Sequence, residues 1–179
     1  MNDLKKLQNM NDEELLRYIL KLKNRDVLPY RQGVFGLVMD SESNFLIVQM
    51  VKYKDNEWNW LGGGVEENED IEETLLRELK EELGSSSFKI MKKSTLINRF
   101  EWDNQMVVGQ FHKRGQLYNG QEKVQFLVQF TGDKSELKSD PKELKQIAWV
   151  PREELKDYFI FDGQWEFAEK TLSDLLQEN

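Results

Sequence analysis

Residues 62–84 read "GGGVEENEDIEETLLRELKEELG", a glycine loop running into a helix that sets nine carboxylates against two basic side chains, Arg77 and Lys80. Placed at about 100° per residue, Ile71, Leu75, Leu76, Leu79 and Leu83 sweep one apolar arc, and Glu78, Glu81 and Glu82 fall on the adjoining one. Gly84 suits the left-handed position just past a helix end. Strand-like runs lie on both sides of this helix, and helical patterns follow them, so the order predicts a mixed sheet covered on both faces.

Glu78, Glu81 and Glu82 stand at i, i+3 and i+4, where like charges repel even when solvated. The edge of an apolar stripe makes the repulsion worse. A divalent cation resolves it. Carboxylate oxygens without thiolate or imidazole suit Mg²⁺, or Mn²⁺ in its place, which keeps waters and accepts phosphate oxygens as further ligands. The pattern therefore points to phosphate chemistry. The glycines at 62–64 let backbone approach an ion or a phosphate, and Arg77 can pair with a neighbouring carboxylate and orient it. Composition alone also allows a solvated Glu-rich helix with no site on it.

The remaining sequence narrows the class. The 179 residues suffice for one domain with a helical extension, and the apolar fraction of 39% is that of an ordinary folded chain. The longest apolar run, "FLIVQMV" at 45–51, is too short to span a bilayer, and the mixed-charge N-terminus lacks the pattern of a signal peptide, so a cytoplasmic protein is expected. Without cysteine, and with His112 as the only histidine and expected in a loop, thiolate and multi-histidine metal sites are excluded. Of the net charge of −8, residues 61–84 carry −7, which leaves the other 155 residues at −1. The acidity belongs to one site.

Residues 11–24 begin with a capping Asn and carry Leu15, Leu16, Ile19, Leu20 and Leu22 as an apolar stripe, a helix that docks on the domain or on a second copy of the chain in a homodimer. "GVFGLVMD" and "FLIVQMV" around the turn "SESN" predict a strand pair. Further strands are expected at about 89–101, 105–111, 123–131 and 146–150, a binding loop at 112–122, and helices in "REELKDYF" and "QWEFAEKTLSDLLQ".

Gly63, five residues, Glu69, seven residues, then Arg77-Glu78-Leu79-x-Glu81-Glu82-x-Gly84 resembles the signature box of the Nudix hydrolases at every position but the last, where Ser85 replaces an apolar residue. The resemblance implies an α/β/α sandwich around a mixed sheet at 30–179, preceded by the helical extension 1–29, and Mg²⁺-dependent hydrolysis of a diphosphate linkage. By the matching positions Glu78, Glu81, Glu82 and the Gly63 carbonyl hold the metal, while Glu69 and Arg77 buttress the loop and helix.

Outside the box, "YRQGVFGLV", "WNWLGGGVEENE", "GQEKVQFLVQFTGD" and "ELKQIAWV" resemble the branch with bacterial RNA pyrophosphohydrolases and dinucleoside tetraphosphate hydrolases. That likeness implies Glu143 as an extra metal ligand or proton acceptor, Arg31 as a substrate contact and Phe161 as a base-stacking ring, with a 5′-phosphorylated RNA end or a nucleotide as substrate. A surface acid, a surface ion pair and a core aromatic are the respective structural alternatives. Leu61, Asn68 and Gln125 depart from the branch, which commonly has Pro, Gly and an aromatic there. A mononucleotide or nucleotide-sugar hydrolase and a catalytically silent binding module are the competing functions.

Overall fold

The computed structural model describes residues 2–177. In chain order these form α1 (Asn2–Gln8), α2 (Asp12–Lys23), β1 (Tyr30–Met39), β2 (Asn44–Met50), α3 (Ile71–Leu83), β3 (Phe88–Glu101), α4 (Asn104–Arg114), β4 (Gly120–Phe130), β5 (Leu144–Pro151) and α5 (Gln164–Leu176). The strands make one mixed five-stranded sheet in the order β3-β4-β1-β2-β5. The chain groups into two compact units, one built from residues up to Gln32 with Arg99–Glu122, the other from Gly33–Asn98 with the chain from Lys123 on. This grouping differs from a boundary after residue 29, because the N-terminal helices share their unit with a segment from the middle of the chain.

In the larger unit, side-chain alternation along the strands sorts two cores. Val34, Val38, Leu46, Val48, Phe126 and Val128 face α3, whose Leu75, Leu79 and Leu83 are fully buried among them. Phe35, Leu37, Phe45, Ile47 and Leu127 face the other way, onto Trp58, Trp60 and the Ala168, Leu172 and Leu175 stripe of α5. The result is the expected α/β/α sandwich. β2 pairs antiparallel with β1 through Met39 and Phe45 and with β5 from Asn44 opposite Pro151 onward. The turn joining β1 to β2 is organised by the buried Asp40 carboxylate, which accepts from the backbone N–H of Glu42 at 2.9 Å and of Asn44 at 2.8 Å. Leu76, placed on the apolar arc by the sequence, is 40% exposed, since the buried stripe of α3 runs instead along Thr74, Leu75, Leu79, Glu82 and Leu83. The segment "REELKD" forms a 3₁₀ helix, Arg152–Asp157.

In the smaller unit, Asn11 and Glu14 form a reciprocal capping box at the start of α2. Leu15 and Ile19 are fully buried with Val107, Val108 and Phe111 of α4 and with Leu28 and Trp102, so α2 docks within its own unit. Leu20 remains 44% exposed. Residues 105–111 are helix, not strand: Asp103 caps the Met106 N–H at 2.7 Å, and Gly115 ends α4 in the left-handed conformation. The expected loop 112–122 is thereby divided between the end of α4, a short connection and the start of β4. His112 lies in the last turn of α4, exposed, with its Nε2 2.9 Å from Asp12 Oδ1.

Candidate active site

The acidic helix is set at both ends by its own sequence. Asp70 caps it, accepting from the Glu72 N–H at 2.8 Å, and Glu72 and Glu73 add negative charge where the helix dipole favours it. Gly84, at φ 68°, ends it and donates to the Lys80 carbonyl. Asn68 holds φ 64°, a left-handed position that glycine takes without cost and asparagine tolerates better than most residues, which accounts for the departure there. Ser85, the departure at the last position of the box, is buried with its hydroxyl donating to Glu136 at 3.3 Å and accepting from the Ser87 N–H at 3.1 Å. Leu61 is buried in the α3-side core.

Arg77 gathers the acids. Its Nε and Nη2 clamp the Glu69 carboxylate at 2.6 and 3.0 Å, while Nη1 reaches Glu78 Oε1 at 3.0 Å and Glu81 Oε2 at 3.1 Å. This fork holds the Glu69 carboxyl at a pKa of about 2, well below the usual range. The glycine loop lies directly on Glu78: a Cβ added to Gly63 would stand 2.0 Å from that carboxyl carbon, and one on Gly62 would stand 2.1 Å from the Val34 carbonyl oxygen. The Gly63 carbonyl accepts from the Val34 N–H at 2.9 Å, which leaves its second lone pair.

Glu82 differs from its neighbours. It is buried, its Oε2 has no hydrogen-bond partner, and burial first, then the charges of Glu78 and Glu143, push its pKa up to about 8; Lys123 and Lys52 act in the opposite sense. Glu143, exposed on the turn before β5, reaches this neighbourhood through backbone bonds. Asp140 N–H donates to the Glu82 carbonyl at 2.9 Å, Lys138 N–H to the Leu83 carbonyl at 2.8 Å, and Val51 N–H to the Glu143 carbonyl at 2.9 Å.

Among the described residues no three acidic or histidine side chains already form a metal-binding cluster, because Glu78 and Glu81 are turned to Arg77. The donor set nevertheless fits a hard cation: an orphaned buried carboxylate oxygen, adjacent carboxylates from two segments, and a carbonyl on the glycine loop that leans on Glu78.

Phe161 is neither core nor isolated. It is 37% exposed and meets Tyr53 edge to face, with ring centroids 5.6 Å apart. Arg31 is half-buried near the start of β1, within the smaller unit. Sequence reasoning passed over Tyr53, Lys52 and Lys123. The signal for Lys123 was a lysine in phase with Gln125 and Leu127 along an otherwise apolar strand.

Fold and site together define a hydrolase of phosphoanhydride bonds. Residues 29–171 match the model of the NUDIX domain, and the chain belongs to the Nudix family. It is 30% identical over 150 residues to the RNA pyrophosphohydrolase of Bartonella henselae, covering 76% of this chain and 85% of that protein. It is 27% identical over 139 residues to the RNA pyrophosphohydrolase of Pelagibacter ubique, covering 76% and 86%. Among solved structures, the fold resembles the E. coli dihydroneopterin triphosphate pyrophosphohydrolase at TM-score 0.60 and 14% identity, over 79% of this chain and 96% of that one. It also resembles the C. elegans Ap4A hydrolase in a binary complex at TM-score 0.56 and 14% identity, over 77% and 93%. No helix among the described residues is long and apolar enough to cross a membrane.

Proposed function

We propose that this protein is a Mg²⁺-dependent pyrophosphohydrolase that removes pyrophosphate from the 5′ end of triphosphorylated RNA. The observation that carries the reading is Glu82, a buried carboxylate with an orphan oxygen, under the charges of Glu78 on its own helix and Glu143 on a separate turn. The names of the sequence relatives support RNA as substrate. Glu78, Glu81, Glu82 and the Gly63 carbonyl would hold the ion, which when bound neutralises phosphate charge and acidifies water. Glu69 and Arg77 keep Glu78 and Glu81 oriented for it. Glu143, on a turn and exposed, accepts the proton of the attacking water as one phosphoanhydride P–O bond breaks and pyrophosphate leaves. Phe161 with Tyr53 offers a ring face to the first base. With only −1 net charge outside the acidic segment there is no surplus of cations for a long RNA track, so the enzyme grips the first few nucleotides.

The test offers 5′-triphosphorylated RNA, a dinucleoside tetraphosphate, nucleoside triphosphates and nucleotide sugars with Mg²⁺, and identifies products by mass. Monophosphorylated RNA and pyrophosphate, formed at the highest kcat/KM of the set, are expected. Preferential turnover of a free mononucleotide overturns the RNA assignment and leaves a mononucleotide hydrolase. Preference for the dinucleoside tetraphosphate assigns the second substrate class of the branch that the sequence resembles.

A further inference from the structure

The loop after β2 and the segment before α5 close on one another through a circuit of side chains. Tyr53 and Phe161 meet with ring centroids 5.6 Å apart and planes at 68°, so the two rings form a corner and not a stack. Phe161 N–H donates to Gln164 Oε1 at 3.1 Å, and Gln164 Nε2 donates to the Trp58 carbonyl at 2.9 Å, which ties Phe161 to the residue before Asn59. Asn59 Nδ2 completes the circuit by donating to the Tyr53 hydroxyl at 3.5 Å. The loop is steadied from the sheet, where the buried Gln49 gives its Nε2 to the Lys54 carbonyl at 2.8 Å. The Asn59 amide has a fixed orientation, because its Oδ1 accepts from the Trp60 N–H at 2.8 Å. One Nδ2 proton goes to Tyr53 and the second is left to give, while the Tyr53 hydroxyl accepts that bond and keeps its own proton to donate. Lys52 Nζ, 5.8 Å from the Tyr53 ring centroid, adds a cationic donor. Glu57, the acid whose charge bears on Tyr53, is turned to the Lys54 N–H at 2.8 Å.

We propose that this corner is a base pocket selective for guanine at the nucleotide beside the hydrolysed phosphates, with the base against the rings and its O6 and N7 accepting from the Tyr53 O–H and the Asn59 Nδ2–H. Guanine sets two acceptors side by side on one edge, whereas adenine carries an amino donor in place of O6 and meets a donor with a donor. The two protein donors stand 3.5 Å apart, a separation that suits neighbouring acceptors on one ring system. Backbone pairing sets the corner beside the acids. Val51, two residues before Tyr53, donates its N–H to the Glu143 carbonyl at 2.9 Å. Asn59 lies on the run that pairs with β2 at Val48 and with β1 at Gly36 through Leu61, and then becomes the glycine loop leaning on Glu78. Four residues separate Asn59 from Gly63, at most about 14 Å of extended chain and comparable to the length of a nucleoside with its phosphates. The acidic helix thus meets the phosphates while the corner reads the base.

This inference rests on the acidic helix being a phosphoanhydride hydrolase site, and the test separates the two. Triphosphorylated RNAs that differ only in a first G or A, together with GTP and ATP, are compared with Mg²⁺, and binding of GMP and AMP is measured by calorimetry without turnover. The wild type is expected to favour guanine about 10- to 100-fold in kcat/KM and in monophosphate affinity. Tyr53→Phe keeps the ring, removes the O–H and should lower the guanine-to-adenine ratio about tenfold. Asn59→Asp keeps an oxygen for the Trp60 N–H and replaces the free donor by an acceptor, so the preference should move to adenine, whose N6 amino group it can take. A merely structural role lowers both purines together and leaves the ratio where it was. Equal handling of guanine and adenine by the wild type, a preference for adenine, or a wild-type ratio in either variant overturns the guanine pocket. Preference for GMP over AMP in a protein that hydrolyses no phosphoanhydride overturns the underlying hydrolase reading and leaves the pocket standing.

Discussion

Metal-free stability should fall as pH rises, and Glu82→Gln should abolish the fall. Glu82 has its pKa raised from 4.5 to about 8, so the folded state binds its proton more tightly than the unfolded chain does. The stabilisation is complete below pH 4.5, declines as pH rises, and is gone once pH has passed about 8. At roughly 1.4 kcal/mol per unit, a shift from 4.5 to about 8 sets a ceiling of about 5 kcal/mol between the limits. Relaxation and water entry around the ionised carboxylate reduce that to about 2–4 kcal/mol. For a chain of 179 residues this corresponds to roughly 5–15 °C in melting temperature. The assay is thermal and urea unfolding of wild type and Glu82→Gln in EDTA between pH 5 and 9. The two curves should approach each other at pH 5 and diverge toward pH 9, with the variant more stable, and Mg²⁺ should raise the melting temperature of the wild type more than that of the variant. Parallel curves across this range would refute the reading of Glu82 as a buried carboxylate awaiting a cation.

Glu143→Gln should reduce kcat at saturating Mg²⁺ by about 100-fold or more with an unchanged melting temperature, because the side chain is exposed; retention of full kcat makes it a surface acid. Glu78→Gln should lower both kcat and Mn²⁺ affinity measured without substrate, and unchanged affinity removes it from the ligand set. Arg77→Lys, which cannot clamp Glu69 with two nitrogens, should lower kcat/KM about 10- to 100-fold. It should also move acid unfolding to higher pH: the Glu69 stabilisation is present above pH 4.5 and is lost as pH falls through about 2, and an acid profile identical to wild type would contradict the clamp. Asn68→Gly should hold activity and change stability by less than about 1 kcal/mol, whereas Asn68→Val should destabilise, since a β-branched residue resists a φ of 64°. Deleting residues 1–29 should strip Leu15, Ile19 and Leu28 from α4 and lower the melting temperature; equal stability would show the helices to be dispensable.

The acidic helix was legible because cap, apolar period and stop agree: Asp70, Leu75-Leu79-Leu83 and Gly84 are local signals and need no partner to be read. Residues 105–111 misled for the opposite reason. Val107, Val108 and Phe111 have high strand propensity and also satisfy helical spacing, and the deciding evidence was the Asp103 cap and the Gly115 stop at the ends of the segment. Arg77's fork was legible as a pairing but not in its reach, since a contact to Glu69 across the loop depends on how residues 64–70 turn. Lys123 was hidden because its burial follows from strand order, and nothing within β4 itself says that it is an inner strand beside β1. Phe161 was set between a core position and a stacking position, and its partner Tyr53 is more than a hundred residues away in sequence.

The two bonds from Lys138 and Asp140 to the last carbonyls of α3 act as a ruler for the distant acid. They tie the turn bearing Glu143 to the helix end. One residue added or removed between Lys138 and Glu143 would slide the acid along the helix axis by the span of a peptide.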